Sequence, residues 1–184
     1  GLHAPAPRDL DTRVETLARR MAHLVHAMDF GFLYDRRRRL FTIGYRLADA
    51  DGAGRADDAF YDLLASEARL ASFVAIAKQD VPQQHWFHLS RLVTSVHGRA
   101  TLMSWGGTMF EYLMPLLIMR SFPGTVLDQS CRSSVRRQID YGRQHSMPWG
   151  VSESAYPTTD RAGTYQYRAF GVPGLGLKRG LEDD

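Results

Sequence analysis

Apolar residues recur at helical spacing in three stretches of the chain. The first stripe, residues 14–28, follows a Thr12–Glu15 capping box, in which an N-cap hydroxyl and a third-position carboxylate start a helix. The others occupy residues 59–78 and 125–145. The middle helix is apolar nearly all round in its second half, whereas the other two stripes are narrow. One enclosed helix and two narrow-striped ones are typical of two concentric layers of helices.

Shorter patterns predict turns and strands between these helices. Aromatic and β-branched residues at 30–34 and 40–45 flank four arginines, which predicts a β-hairpin with a basic tip. A second capping box pairs Thr108 with Glu111, so a structural role already accounts for this glutamate. From Tyr156 onward the chain is predicted to form loops.

Glu67 has an unusual position on the predicted helix of residues 59–78. At about 100° per residue, apolar side chains surround Glu67, whereas Asp62 and Arg69 fall together on the far, solvated side. A carboxylate on a buried face costs several kcal/mol unless it is paired, hydrogen-bonded or protonated. Glu67 is therefore either half of a buried ion pair with an arginine or a catalytic group.

A second acid, Glu153, lies on a loop bordered by aromatic residues. Pro148 and Gly150 end the preceding helix, and Trp149 and Tyr156 flank the carboxylate. A solvated turn or a helix cap accounts for such a residue in most proteins. Aromatic side chains beside an acid are also what a sugar-binding site requires.

Composition predicts one globular domain that does not bind nucleic acid. The 184 residues are 44% apolar and 23% charged, which is enough to build a core. The net charge is +3, but Lys78 and Lys178 are the only lysines and the arginines are scattered among acids. We interpret the arginine run at residues 36–39 as an exposed turn.

Cysteine and histidine usage predicts neither a disulfide nor a metal or cofactor site. Cys131 is the only cysteine. His85 and His88 lack a third ligand at metal spacing, so we predict packing or hydrogen bonding for them. The glycines of residues 171–176 do not follow a clear strand, which argues against a nucleotide loop. The longest apolar run, residues 112–119, is too short for membrane insertion.

Four segments together resemble one family. They are residues 61–73 (YDLLASEARLASF), 108–115 (TMFEYLMP), 148–156 (PWGVSESAY) and 165–178 (YQYRAFGVPGLGLK). The family is the glycoamylase-like domain of bacterial cyclic β-1,2-glucan synthases, and the resemblance extends over roughly residues 28–180.

The resemblance implies a mainly α fold, an (α/α)6 toroid with about half of its helices in this chain. Residues 1–184 would then be a partial domain, truncated on its C-terminal side. Family members resemble transglycosylases that close a linear β-1,2-glucan into a ring. The implied partners are the glucan and the other domains of a large synthase, and the implied location is the cytoplasmic face of the bacterial inner membrane.

Breaking and remaking a β-1,2 bond retains the anomeric configuration, which calls for two carboxyl groups about 5–5.5 Å apart. We predict Glu67 as the nucleophile and Glu153 as the acid/base. Arg69 would either orient the neighbours of Glu67 or pair with Asp62. An inverting β-1,2-glucan hydrolase and a non-catalytic glucan-holding segment are the alternatives. The predicted substrate-binding residues are Trp105, Glu111, Trp149, Tyr156, Tyr165 and Tyr167.

Overall fold

The computed structural model describes residues 7–50, 52–168 and 171–177, without the side chains of residues 7, 8, 154–157, 167 and 168. Five α-helices occur in these ranges: α1 (Pro7–Ala27), α2 (Arg69–Ala77), α3 (Gln84–His88), α4 (Met109–Leu113) and α5 (Val126–Gln144). The strands are β1 (Tyr34–Asp35), β2 (Leu40–Thr42), β3 (Tyr45–Arg46), β4 (Arg55–Ala56), β5 (Phe60–Tyr61), β6 (Val93–Val96), β7 (Arg99–Leu102), β8 (Ser154–Thr159) and β9 (Tyr165–Arg168).

The described strands form four small antiparallel sheets. Strand β2 lies between β1 and β5, while β3 pairs with β4, β6 with β7, and β8 with β9. The β1–β2 pair is the hairpin expected around the arginine run, although its strands are shorter than predicted. The β6–β7 hairpin packs on α5, and the backbone N–H of Leu102 donates to Ser130 Oγ at 2.8 Å.

Two apolar clusters form the core of the described residues. The larger brings together Leu64, Leu102, Tyr112 and Leu175 with other buried side chains, and the smaller centres on Phe41. Tyr112 joins distant parts of the larger cluster, because its hydroxyl donates to the carbonyl oxygens of Leu102 at 2.7 Å and Leu175 at 3.1 Å. Residues 171–177, which include Leu175, are thereby attached to β7 and α4.

The prediction of a mainly α fold with half of an (α/α)6 toroid is wrong for the described chain. Nine strands accompany the five helices there, and only α1 and α5 exceed nine residues. Helix α5 packs against a β-hairpin, where the prediction required another layer of helices. The region after Tyr156, predicted as loop, contains the β8–β9 hairpin.

The predicted helix over residues 59–78 is also wrong in its first half. Phe60 and Tyr61 form β5 and pair with β2, and α2 begins only at Arg69. Residues 63–66 are buried one after another, a pattern that a helix with one exposed face does not produce. Tertiary pairing and a local bond from the Ala68 N–H to Ser66 Oγ replace the helix here.

The Thr12–Glu15 capping box does not start the first helix, because α1 already begins at Pro7. The boundaries of α4 and α5 follow the sequence signals more closely. Helix α5 is capped by Thr125, whose hydroxyl accepts from the Asp128 N–H. Helix α4 has the complete Thr108–Glu111 capping box. Pro115 lies in the first turn of the 3-10 helix that follows α4, where its missing N–H removes no helical bond. No helix in the described ranges is long and apolar enough to cross a membrane.

Candidate active site

A cleft of about 630 Å³ collects four carboxyl groups from separate parts of the chain. Asp62 follows β5, Glu67 lies in the turn before α2, Glu111 is in α4, and Glu153 is in the segment that leads into β8. The remaining lining residues are Ile43, Ala59, Phe60, Tyr61, Trp105 and Gly106. Aromatic surfaces beside several acids provide both the stacking area and the hydrogen-bonding groups that sugar recognition uses.

Glu67 is half-buried in this cleft, but it does not lie on a helix as the sequence pattern predicted. Burial raises the pKa of its carboxyl group. Hydrogen bonds that the carboxylate accepts from its own backbone and from the Ser66 hydroxyl, the latter at 3.1 Å, offset part of this shift. The nearby charges of Glu111 and Glu153 raise the pKa further. Three acids thus interact electrostatically across the cleft.

Glu111 is buried and its carboxylate is fully occupied by protein donors. Oε1 accepts from the Gly106 N–H at 2.8 Å. Oε2 accepts from the Ser104 and Thr108 hydroxyls, each at 3.0 Å, and from the Thr108 N–H at 2.8 Å. These bonds fix the turn next to Trp105. The arrangement makes Glu111 a positioning residue, whose substrate-binding role stays a prediction.

Arg69 does not form the ion pair with Asp62 that was one of its two predicted roles; it binds the residues around Glu67 instead. Its side chain is only 3% exposed. Nη1 donates to the carbonyl oxygens of Ser66 at 2.9 Å and Glu111 at 2.7 Å, and Nη2 donates to that of Tyr112 at 2.6 Å. The guanidinium therefore joins the Glu67 turn to α4, and burial lowers its pKa.

Glu153 is positioned by a set of backbone hydrogen bonds just before it. The fully buried Gln138 of α5 donates to the Val151 carbonyl at 2.9 Å and accepts from the Val151 N–H at 2.7 Å. At the start of α4, the Met109 N–H donates to the Val151 carbonyl and the Phe110 N–H donates to Ser152 Oγ. Helices α4 and α5 thus hold the segment that carries Glu153.

The glycine-rich residues 171–177 pack against residues 104–107, which include two lining residues of the cleft. The Ser104 N–H donates to the Leu175 carbonyl at 3.0 Å, and the Val172 N–H donates to that of Gly107 at 3.2 Å. A β-carbon on Gly171 would overlap the Gly106 carbonyl. These glycines permit a close approach of two backbone segments, which gives them a structural purpose other than phosphate binding.

The predicted aromatic binding residues are only partly brought together. Trp105 lines the cleft and is 39% exposed. Trp149 packs over Gly142 of α5, and it and Tyr165 are exposed outside the cleft lining. The side chains of Tyr156 and Tyr167 lie outside the described residues. Substrate binding by these last four aromatic residues stays a prediction.

Two residues important for this geometry, Asp62 and Gln138, were missed by the sequence reasoning. Asp62 was assigned to a solvated helix face because the helix itself was wrongly predicted. Gln138 had a readable signal, since it lies three residues after Val135 and four before Gly142 on the buried stripe of α5. A polar residue at such a position needs buried partners.

The histidines behave as the sequence predicted. His85 is buried, with Nδ1 hydrogen-bonded to the Arg39 carbonyl and Nε2 to Ser72 Oγ, each at 2.8 Å. His88 is exposed, and its Nδ1 lies 2.9 Å from the Gln84 carbonyl. Within the described ranges, no group of three His, Cys, Asp or Glu side chains is arranged to hold a metal ion.

Comparisons with known proteins agree on the relationship of this chain. The family model named Glycoamylase, described as a glucoamylase family, matches residues 59–182, which include every lining residue of the cleft except Ile43. Cyclic beta-(1,2)-glucan synthase NdvB of Rhizobium meliloti (strain 1021) is 49% identical over 172 residues, which are 94% of this chain and 6% of that protein. Because the family model matches more than half of the chain, the chain belongs to the glycoamylase family.

Proposed function

We propose that the cleft cleaves and rejoins β-1,2-glucan with retention of configuration and closes the linear chain into a ring. The observation that supports this most is that Glu67 and Glu153, distant in sequence, line one cleft with Trp105. The relative's name supplies the substrate class, because that protein is a cyclic β-(1,2)-glucan synthase.

In the first step, the Glu67 carboxylate attacks C1 of the sugar beside the bond to be broken. The Glu153 carboxyl group donates its proton to the departing glycosidic oxygen, so the cleaved-off part of the chain leaves as an alcohol. The product is a glycosyl ester on Glu67. The charge of Glu111 disfavours ionisation of free Glu67, and ester formation removes the charge of Glu67.

In the second step, a hydroxyl at the far end of the same glucan attacks C1 of the glycosyl ester. Glu153, now ionised, accepts the proton of this hydroxyl, and the Glu67 carboxylate leaves. Two inversions give net retention. The chain end must react faster than water, so the cleft must bind several sugar units and exclude solvent while the ester exists.

The test is incubation of the full protein that carries this chain with linear β-1,2-glucan, followed by mass measurement of the products. A ring has the mass of a linear chain of the same number of units minus one water, and we expect such products. New reducing ends without rings would contradict cyclisation and favour a hydrolase. Intact glucan that nevertheless binds would favour the non-catalytic, glucan-holding alternative.

The chain spans about 6% of the length of its glucan synthase relative. We therefore infer that its partners are the glucan and other domains of the same parent protein. The cytoplasmic face of a bacterial inner membrane, which the sequence resemblance implied, stays a prediction for this segment.

A further inference from the structure

Among the four acids of the cleft, only Asp62 has a buried carboxylate oxygen without a hydrogen-bond partner in the described part of the chain. Its Oδ1 is shielded from solvent and makes no hydrogen bond with any group in the described part of the chain. The residue lines the same cleft as Glu67, Glu153 and Trp105. The sequence pattern predicted Arg69 as its neighbour, but that guanidinium is bound to carbonyl oxygens of Ser66, Glu111 and Tyr112.

The backbone around Asp62 is held firmly on both sides. Before it, β5 pairs with β2 in register, Phe41 opposite Tyr61. At the residue itself, the Ser90 N–H donates to the Asp62 carbonyl at 2.5 Å, and the Leu64 N–H donates to the Ser90 carbonyl at 3.0 Å. Leu63 and Leu64 are then buried in the core. The backbone that carries the carboxyl group is thus fixed beside the cleft.

Keeping an acceptor away from water without a partner opposes folding. Burial raises the pKa of Asp62, and a hydrogen bond to its own backbone offsets only part of this shift. A residue that stabilised the fold would gain a bond in exchange, and Oδ1 gains none within the described residues. A carboxylate oxygen that the fold has already removed from water, without a hydrogen bond in exchange, is suited to a ligand that supplies a hydrogen-bond donor.

We propose that Asp62 is a substrate-binding residue, whose Oδ1 accepts a hydrogen bond from a hydroxyl group of a glucose unit bound beside Glu67 and Glu153. This inference rests on the proposed function, since it requires a sugar in the cleft. Hydroxyl groups are the donors that a glucan offers, and a carboxylate accepts them strongly. Asp62 would therefore select the orientation of the sugar and take no part in bond breaking.

The test compares Asp62→Leu and Asp62→Asn with the wild-type protein at full length. Asp80→Asn is the matched control, because Asp80 is also partly buried, but its Oδ2 is ion-paired with Lys78 Nζ at 3.0 Å and the residue lies outside the cleft lining. We expect Asp62→Leu to raise KM for linear β-1,2-glucan by about ten- to a hundredfold. Asp62→Asn keeps an acceptor and should raise KM less, and Asp80→Asn should leave it unchanged.

Mono-deoxy analogues of a short linear β-1,2-glucan separate recognition from a structural effect. Removing one particular hydroxyl should weaken binding to the wild-type protein but change little for Asp62→Leu. The melting temperature of Asp62→Leu should equal or exceed that of the wild type. Equal KM values for the two proteins, the same deoxy penalty in both, or a lowered melting temperature with unchanged KM would overturn the proposal.

The outcome is distinguishable from failure of the proposed function. Cyclisation and hydrolysis both begin with bound glucan, so KM can be measured for either reaction. A wild-type protein that hydrolyses glucan without making rings would refute cyclisation but leave the Asp62 comparison valid. A wild-type protein that does not bind glucan would overturn both.

Discussion

At the scale of single residues, the cleft is unusual because its acids destabilise one another. Glu67 is half-buried and lies close enough to Glu111 and Glu153 for both charges to raise its pKa. An ionised Glu67 therefore costs folding free energy, which is a common property of groups kept for chemistry.

Replacing Glu67 by Gln should stabilise the folded protein at neutral pH. The pKa of Glu67 is raised in the folded state. Below the unfolded-state pKa of about 4.3 the carboxyl group is neutral in both states, so its burial costs nothing through ionisation. As pH rises through the folded-state pKa, the wild type loses stability. Urea unfolding at several pH values measures the difference, which should be near zero at the acidic end and favour Gln above it. The control Glu15→Gln, on exposed α1, should change stability by less than about 0.5 kcal/mol. A less stable Glu67→Gln at neutral pH would contradict this account.

Glu111 illustrates the opposite use of a buried carboxylate. Gln at this position has only one acceptor oxygen for four donors, so we expect Glu111→Gln to lose about 2 kcal/mol or more of unfolding free energy. Asp128→Asn, at the corresponding position of α5, contacts exposed Arg132 and should cost less than about 1 kcal/mol. If chemical denaturation gave the same loss of unfolding free energy for both variants, the hydrogen bonds of Glu111 would stabilise the fold no more than the exposed Asp128–Arg132 contact does.

At the scale of elements, α5 acts as a platform for the Glu153 segment. Its Gln138 side chain binds both the N–H and the carbonyl oxygen of Val151, and Gly142 allows Trp149 to pack closely. The helix itself was predictable, because Thr125 caps it and its apolar stripe has the right period. Its neighbour was not, because the β6–β7 pairing depends on contacts between separate chain segments.

Gln138→Leu should lower kcat by misplacing Glu153 and should also destabilise the fold by about 1–3 kcal/mol, since the Val151 N–H and carbonyl each lose a buried partner. Steady-state kinetics on linear β-1,2-glucan and thermal unfolding measure the two effects. Gln144→Leu, near the exposed end of the same helix, is the matched control and should change neither. A wild-type kcat in Gln138→Leu would exclude this positioning role.

At the scale of the whole molecule, the apolar stripe of α1 does not contribute to the core of the described residues. Val14, Leu17, Met21 and Leu24 of α1 are between 57% and 63% exposed. We expect the pair Leu17→Gln and Met21→Gln to change the unfolding free energy by less than about 1 kcal/mol, whereas Leu102→Ala, in the main core, should cost about 2–5 kcal/mol. Denaturant titration checks both values, and a large loss from the α1 pair would mean that this face is covered.

Sequence reasoning predicted the parts of the cleft that local chemistry dictates. The Thr108–Glu111 box and the loop at Pro148 follow from capping and helix-breaking residues. Glu67 was selected for an incorrect reason: it was placed on a helix, whereas tertiary pairing of β5 with β2 puts it in a turn. The same pairing places Asp62 beside the cleft, and the periodicity of apolar residues in the sequence does not predict this pairing.

The most direct test of the central claim is ring formation by the full protein carrying Glu67→Gln or Glu153→Gln, measured by the mass of products from linear β-1,2-glucan. Each carboxyl group takes part in both steps of the proposed reaction, so either substitution should lower the rate at least about a thousandfold, with Glu15→Gln as the unaffected control. Rings formed at the wild-type rate by either variant would contradict the assignment of this pair.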